Sequence, residues 1–281
     1  MTMSDVSRRQ LERTESFMLY RTDVATRSVV EAARKGAFDL VTTAPPQVVI
    51  NGRELLDEGP GVDRPRYGRR VPWQRLAVQR LLSTCESPMT QQDLVRATGA
   101  TQQAVSVTTK TLNHTTRTRH GWTGTGDLLD DWNADYPGPR GLEQHWYGLD
   151  DPADQYDTAR RLLTQLDVWS VLSGDLAADQ YSPWMRPSTV RLYTGDVVDF
   201  TEFGFSLTDA ADATMTVVVP DDRSLLPAAR YFADRQPPSR TPHLIADPAI
   251  IWWDLLQTST DPTAVEAAQH VRATIDRRRV T

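Results

Sequence analysis

Hydrophobic positions recur at helical spacing along some stretches of the 281 residues and alternate along others, and the switches mark the elements. Residues 4–36 read as a polar helix whose weak stripe is Val24, Val29, Val30 and Ala33, closing at Gly36. Residues 38–56 read as two short strands interrupted by Pro45-Pro46, with Asn51-Gly52 as a hairpin turn. The Gly-, Pro- and charge-rich run 57–70 predicts a linker or an exposed basic arm at Arg64–Arg70. Three helices follow. The first opens at Pro72 and sets Trp73, Leu76, Ala77 and Leu81 on one face. The second, residues 90–98, carries Leu94, Val95 and Ala97 and stops before Gly99. The third starts at the N-cap Thr101 and runs to Leu112, with Ala104, Val105 and Leu112 inward. Residues 117–126, RTRHGWTGTG, suit a short β-hairpin.

Beyond Asp127 the pattern is less regular. Residues 128–136 predict a helix stopped by YPGPRG, and residues 157–174 a helical stretch with Leu162, Leu163, Leu166, Trp169 and Leu172 as its stripe. STVRLYT (188–194) and ATMTVVVP (213–220) read as strands, the second buried. Residues 247–257 and 261–275 predict helices, each opened by Asp-Pro. Irregular alternation of helices and strands gives an α+β class. Three segments are expected: an N-terminal helical and hairpin segment with linker (1–63), a winged helix-turn-helix (64–126) and a larger α+β domain (127–281).

Charge sharpens this division. The net charge is −6, yet residues 64–120 hold ten Arg/Lys against only Glu86 and Asp93. Residues 121–281 hold thirteen basic and twenty-five acidic groups. A basic module inside an acidic chain is what phosphate contacts require. The single Cys85 excludes an intramolecular disulfide, the first residues lack the apolar core of a signal peptide, and no apolar run reaches the ~18 residues of a membrane span. A cytoplasmic protein without membrane partners is expected.

The stretch 99–112, GATQQAVSVTTKTL, carries the candidate chemistry. Gly99 supplies a turn angle that a β-carbon disfavours, and Ala104 and Val105 face inward. Thr101, Gln102, Gln103, Ser106, Val107 and Lys110 are left for a DNA groove. Glutamine can bond an adenine edge with two hydrogen bonds, Ser, Thr and Lys can reach phosphates or bases, and the valine can meet a thymine methyl. Arg117 and Arg119 sit where a wing would reach the minor groove or backbone. A solvated helical hairpin with no ligand would show the same Gln- and Thr-rich face; the preceding Trp73 helix and the basic surplus weigh against it.

GATQQAVSVTTKTL resembles the recognition segment of bacterial winged helix-turn-helix regulators, with Thr108 and Thr109 departing from the apolar and basic residues common there. YPGPRG, HWYGLD (145–150), LSGDLAADQYSPWMRPSTVRLY (172–193), ADPAIIWWDLLQ and AVEAAQHVRATI resemble the C-terminal part of AbiEi-type antitoxins of type IV toxin–antitoxin systems. The resemblance spans about residues 70–275 in separated motifs. It implies a winged helix that binds the operon's own promoter and a C-terminal domain that supports neutralisation of a nucleotidyltransferase toxin; a homodimer on DNA is expected separately, because a single winged helix offers a small interface.

Residues 172–193 also have the outline of the opening of a nucleotidyltransferase fold. Active members hold a metal with two carboxylates one residue apart on the strand. Here the outward pair would be Arg191 and Tyr193, which cannot hold a cation, while Asp196 and Asp199 look like turn residues. A catalytically empty domain of that shape is one expectation and a generic α+β domain the other. The five histidines form no pair at metal-ligand spacing, GWTGTGD (121–127) lacks the Gly-Lys-Ser/Thr of a phosphate loop, and the tryptophans read as core anchors. No cofactor, metal or catalytic residue is expected. The alternatives to a regulator are a nucleotidyltransferase-like or nucleic-acid-processing enzyme that uses the winged helix for delivery, and a module that binds no DNA.

Overall fold

The computed structural model describes residues 19–25, 27–57, 71–235, 243–258 and 262–279, and its chain divides into two compact units, 1–71 and 72–281. The expected helix over residues 4–18, the arm at Arg64–Arg70 and the capping Asp261 lie outside the described residues.

In the first unit, β1 (Leu19–Thr22) pairs parallel with β2 (Asp39–Thr43), joined by α1 (Arg27–Arg34); β3 (Pro46–Ile50) and β4 (Arg53–Asp57) continue the sheet antiparallel in the order β1-β2-β3-β4. The helix expected across 4–36 is therefore corrected: residues 19–22 are a strand and the helix starts at Arg27. Burial decides this, because Tyr20 stacks edge-on against Phe38 at 5.1 Å, inside a core with Val29, Val30, Ala33, Leu40 and Val49. Residues 38–57 hold three strands rather than two. Asn51 and Gly52, at φ 50° and 73°, make the second hairpin turn, as their side chains favour.

The second unit opens with α2 (Trp73–Thr84), α3 (Gln91–Thr98) and α4 (Gln102–Thr111), followed by the hairpin β5 (Thr115–Thr118) and β6 (Gly121–Gly124). Next come α5 (Leu128–Asp135), β7 (Leu142–Tyr147), α6 (Pro152–Gln165), β8 (Ser170–Ser173), α7 (Gly174–Tyr181) and β9 (Val190–Thr194). β10 (Ser206–Leu207), β11 (Met215–Val219), α8 (Leu225–Ala233), α9 (Pro248–Thr258) and α10 (Pro262–Arg279) complete it. Five strands form one mixed sheet in the order β10-β7-β11-β9-β8, with β9 and β11 parallel and the other pairs antiparallel. All five residues of β9 are buried, with α6 and α7 packed against the strand. The fold is α+β.

The helix expected across 157–174 ends at Gln165. Asp167 turns the chain at φ 54°, and Ser170–Ser173 are a strand, so Leu172 belongs to the sheet. Trp132 and Trp146 are wholly buried anchors, but Trp184 is half exposed and stacks on His270 at 3.6 Å. The junction expected at 126/127 falls inside this unit, where Leu128, Ala228 and Tyr231 share one core with Leu81, Leu94, Ala97 and Val105.

Candidate nucleic-acid interface

Local signals fix α3 and α4. The Thr90 hydroxyl accepts the Asp93 N–H at 3.1 Å while the Asp93 carboxylate accepts the Thr90 N–H at 3.1 Å, a reciprocal cap that starts α3. The Thr90 hydroxyl also donates to the Asp93 carboxylate at 2.7 Å, and this bond first, with the Thr90 N–H, holds the Asp93 carboxyl below its usual range despite partial burial. Gly99 ends α3 at φ 67° and donates to the Val95 carbonyl. Two residues later Thr101 caps α4, its hydroxyl accepting the Ala104 N–H at 3.2 Å. One hydroxyl lone pair of Thr101 is thereby used before any ligand arrives.

α4 then divides cleanly. Val105, Thr108 and Thr109 are buried, Ala104 and Ser106 half-buried, and Gln102, Gln103, Val107 and Lys110 face solvent. Val107 is 57% exposed in the middle of that polar face. The threonines depart from an apolar seam without leaving polar groups stranded: Thr109 donates to the Val105 carbonyl at 3.0 Å, and Thr111 to that of Val107 at 3.1 Å.

The hairpin is tied to the loop before α3. Met89 and Trp122 exchange two backbone hydrogen bonds of 2.8 Å, so residue 89 acts as a third strand beside β6. Gly121 permits this approach, because a β-carbon there would lie 2.4 Å from the Met89 carbonyl oxygen. Arg117 and Arg119 are exposed, and the Arg117 guanidinium stands 6.0 Å from the Trp122 ring centre, across the hairpin. The structure thus places all eight candidates on α4, its cap and the hairpin, with Ser106 the least accessible of the α4 side chains among them.

A buried ionic network missed by sequence reasoning lies beneath α2. Arg80 is fully buried; it donates to Asp222 at 3.0 Å and to Ser224 at 3.0 Å, and its Nε lies 3.1 Å from Asp247, the residue before α9. Tyr136 donates to Asp222 at 3.1 Å. Burial works against the guanidinium charge, but Asp247 and Asp222 outweigh it and hold Arg80 ionised. Burial raises the Asp247 carboxyl, opposed chiefly by Arg80. No signal in the sequence pairs residues so far apart; the one hint was an arginine on the apolar side of its helix.

The strand pair Arg191 and Tyr193 requires a correction. Both are buried rather than outward, at 8% and 0% exposure. Tyr193 donates to Asp254 at 2.7 Å, Arg191 bonds Glu143 at 2.7 Å and lies 3.2 Å from Asp254, and Ser173 donates to Asp254 as well. Burial pushes the Asp254 carboxyl upward against the pull of these partners. β9 is covered on both sides, which removes the outward face that the alternation implied. Asp199 does turn the chain, accepting the Thr201 N–H at 2.9 Å. Among the described residues no cluster of His, Cys, Asp and Glu is arranged to hold a metal ion, and no helix is long and apolar enough to cross a membrane.

A family model described as transcriptional regulator, AbiEi antitoxin, type IV TA system matches residues 123–277. The match begins within β6, so α2, α3 and α4 precede it. No curated protein and no solved structure matches the chain.

Proposed function

The chain belongs to the AbiEi antitoxins, transcriptional regulators of type IV toxin–antitoxin systems, and from that premise we propose that residues 72–126 are a winged helix-turn-helix reading the chain's own promoter. α4 is the recognition helix in this reading. Thr101, Gln102, Gln103, Ser106 and Val107 meet base edges or nearby phosphates, and Lys110, Arg117 and Arg119 meet the backbone. The observation that carries it is the two-sided α4, with Val105, Thr108 and Thr109 buried while Gln102, Gln103, Val107 and Lys110 project from a module whose surface charge is mostly positive. The partners are duplex DNA and a nucleotidyltransferase toxin encoded in the same operon, which the bound regulator represses. One module buries only about 600–1,000 Å² on DNA, so two copies on repeated half-sites supply the specificity.

In the C-terminal part, β8, Gly174, α7 and β9 run in sequence, and β9 carries the buried Arg191 and Tyr193 rather than a pair of carboxylates that could hold a metal. This supports a catalytically empty scaffold kept for protein contact. Footprinting of the full chain on the region upstream of its gene tests the main reading. Two protected patches spaced by one helical turn or a multiple are expected, and affinity equal to that for scrambled duplex would refute sequence-specific regulation. Transfer of label from a nucleoside triphosphate to tRNA or protein in the presence of magnesium, lost on changing Asp175, Asp196 or Asp199 to asparagine, would establish the enzyme alternative instead.

A further inference from the structure

Residues 72–126 carry six basic side chains and two carboxylates, Glu86 and Asp93. Arg80 is consumed by the buried network, and Arg75 lies 4.0 Å from Asp135. That leaves Arg96, Lys110, Arg117 and Arg119 against two acids, and Arg96 itself lies 3.9 Å from Asp93, a small surplus for a surface that must meet a polyanion. Both acids lie next to the hairpin. Glu86 is three residues before Met89 and Asp93 four after it, and Met89 is bonded to Trp122. Three or four residues of chain span at most about 11–14 Å, less than two Debye lengths of ~8 Å at physiological salt. Phosphates gripped by the hairpin would therefore feel either carboxylate if it were bare.

Neither is bare. Arg278, near the end of α10, lies 3.4 Å from Glu86, with its guanidinium 4.8 Å from the Tyr181 ring centre. Arg235, just after α8, lies 3.3 Å from Asp93, with its guanidinium 3.3 Å from the Tyr231 ring centre and a bond to the Tyr231 carbonyl at 3.1 Å. Each cation comes from outside the module and rests on an aromatic face that fixes its position. Exposed pairs of this kind add little to folding. Their effect on a neighbouring polyanion is larger, because they cancel the two charges that would oppose binding.

We infer that the C-terminal part of the chain completes the DNA surface of residues 72–126 by neutralising its carboxylates, Arg278 covering Glu86 and Arg235 covering Asp93. The inference rests on the DNA-binding reading above. An acidic C-terminal half thus contributes the arginines on which the affinity of the basic module depends. Asp93 cannot simply be removed, since it caps α3, whereas Glu86 makes no capping bond and can be replaced.

The test uses the full chain, fluorescence anisotropy, and two labelled duplexes: the region upstream of the gene, and a scrambled duplex of equal length. R278A and R235A should each weaken binding to both duplexes by about threefold to tenfold, since a restored carboxylate repels phosphates of any sequence. E86Q alone should change little, R278A/E86Q should recover wild-type affinity, and R235K should keep it. Circular dichroism melts confirm that each variant is folded. Wild-type affinity in R278A and R235A would overturn the inference while leaving the DNA reading intact, as would an R278A defect that E86Q does not repair. Failure of the wild-type chain to bind either duplex would overturn both.

Discussion

Replacing Arg80 with alanine removes the one cation that faces two buried carboxylates. Asp222 and Asp247 are 2% and 1% exposed, and α2 offers no other group to them at that point. Breaking a buried ion pair from one side costs about 3–5 kcal/mol, because the remaining charge is left desolvated. Against a total stability of about 5–15 kcal/mol, that is at least about a fifth of what holds the unit folded. With a urea slope of ~3 kcal/mol/M the midpoint should fall by about 1–1.7 M. The loss should depend on pH with a definite sign. Burial already raises the Asp247 carboxyl, and without the opposing Arg80 its folded-state pKa lies further above the unfolded value, so it binds a proton on folding. Stability is then greatest at low pH and declines as pH rises through the folded-state pKa. R80A should therefore lie closest to wild type near pH 5 and furthest from it at pH 7.5. The triple variant R80M/D222N/D247N, which leaves no buried charge, should regain much of the loss. Urea unfolding followed by tryptophan fluorescence and far-ultraviolet circular dichroism at both pH values is the assay. A loss below about 1 kcal/mol at pH 7.5, or one that grows towards pH 5, would show that water reaches these carboxylates and would refute the reasoning.

Changing Gln102 and Gln103 to alanine should cost ~1–3 kcal/mol of sequence discrimination per lost two-bond contact and leave non-specific binding nearly intact. Competition anisotropy with operator and scrambled duplexes measures this, and an unchanged operator preference would remove α4 from the groove. Changing Arg117 and Arg119 to alanine should weaken binding to all sequences together and flatten the slope of log affinity against log salt by about 0.9 per lost phosphate contact. A steep, wild-type salt dependence in that variant would place the hairpin away from the backbone.

The tri-helical run was legible because its signals are local. The Thr101 cap, Gly99 and the inward Val105 each act within a few residues, and α3 ends and α4 begins beside them. Residues 157–174 were misread for the opposite reason: a leucine-rich run continues from a helix into a strand, and periodicity over Leu163, Leu166 and Trp169 does not register the turn at Asp167. Arg191 and Tyr193 were assigned to an outward face by alternation, which assumes a sheet covered on one side. The stretch 19–22 looked helical in a polar context, yet Tyr20 needed Phe38 to bury against, and that contact arises only in the folded unit. Arg80, Asp222 and Asp247 carry no mutual trace in the sequence, because their pairing depends on the packing of α2 against segments far along the chain.

The shared core of α2, α3, α4 and α8 has a consequence for how such a reader is inherited. Cut out at residue 126, it would lose Leu128, Ala228 and Tyr231 from its interior and leave Arg80 without Asp222 and Asp247. If residues 72–126 read DNA as proposed, such a head is not a cassette that recombination can move between chains. It travels only with the C-terminal half that finishes its core, so a change of operator must come by substitution along the solvent face of α4, one side chain at a time.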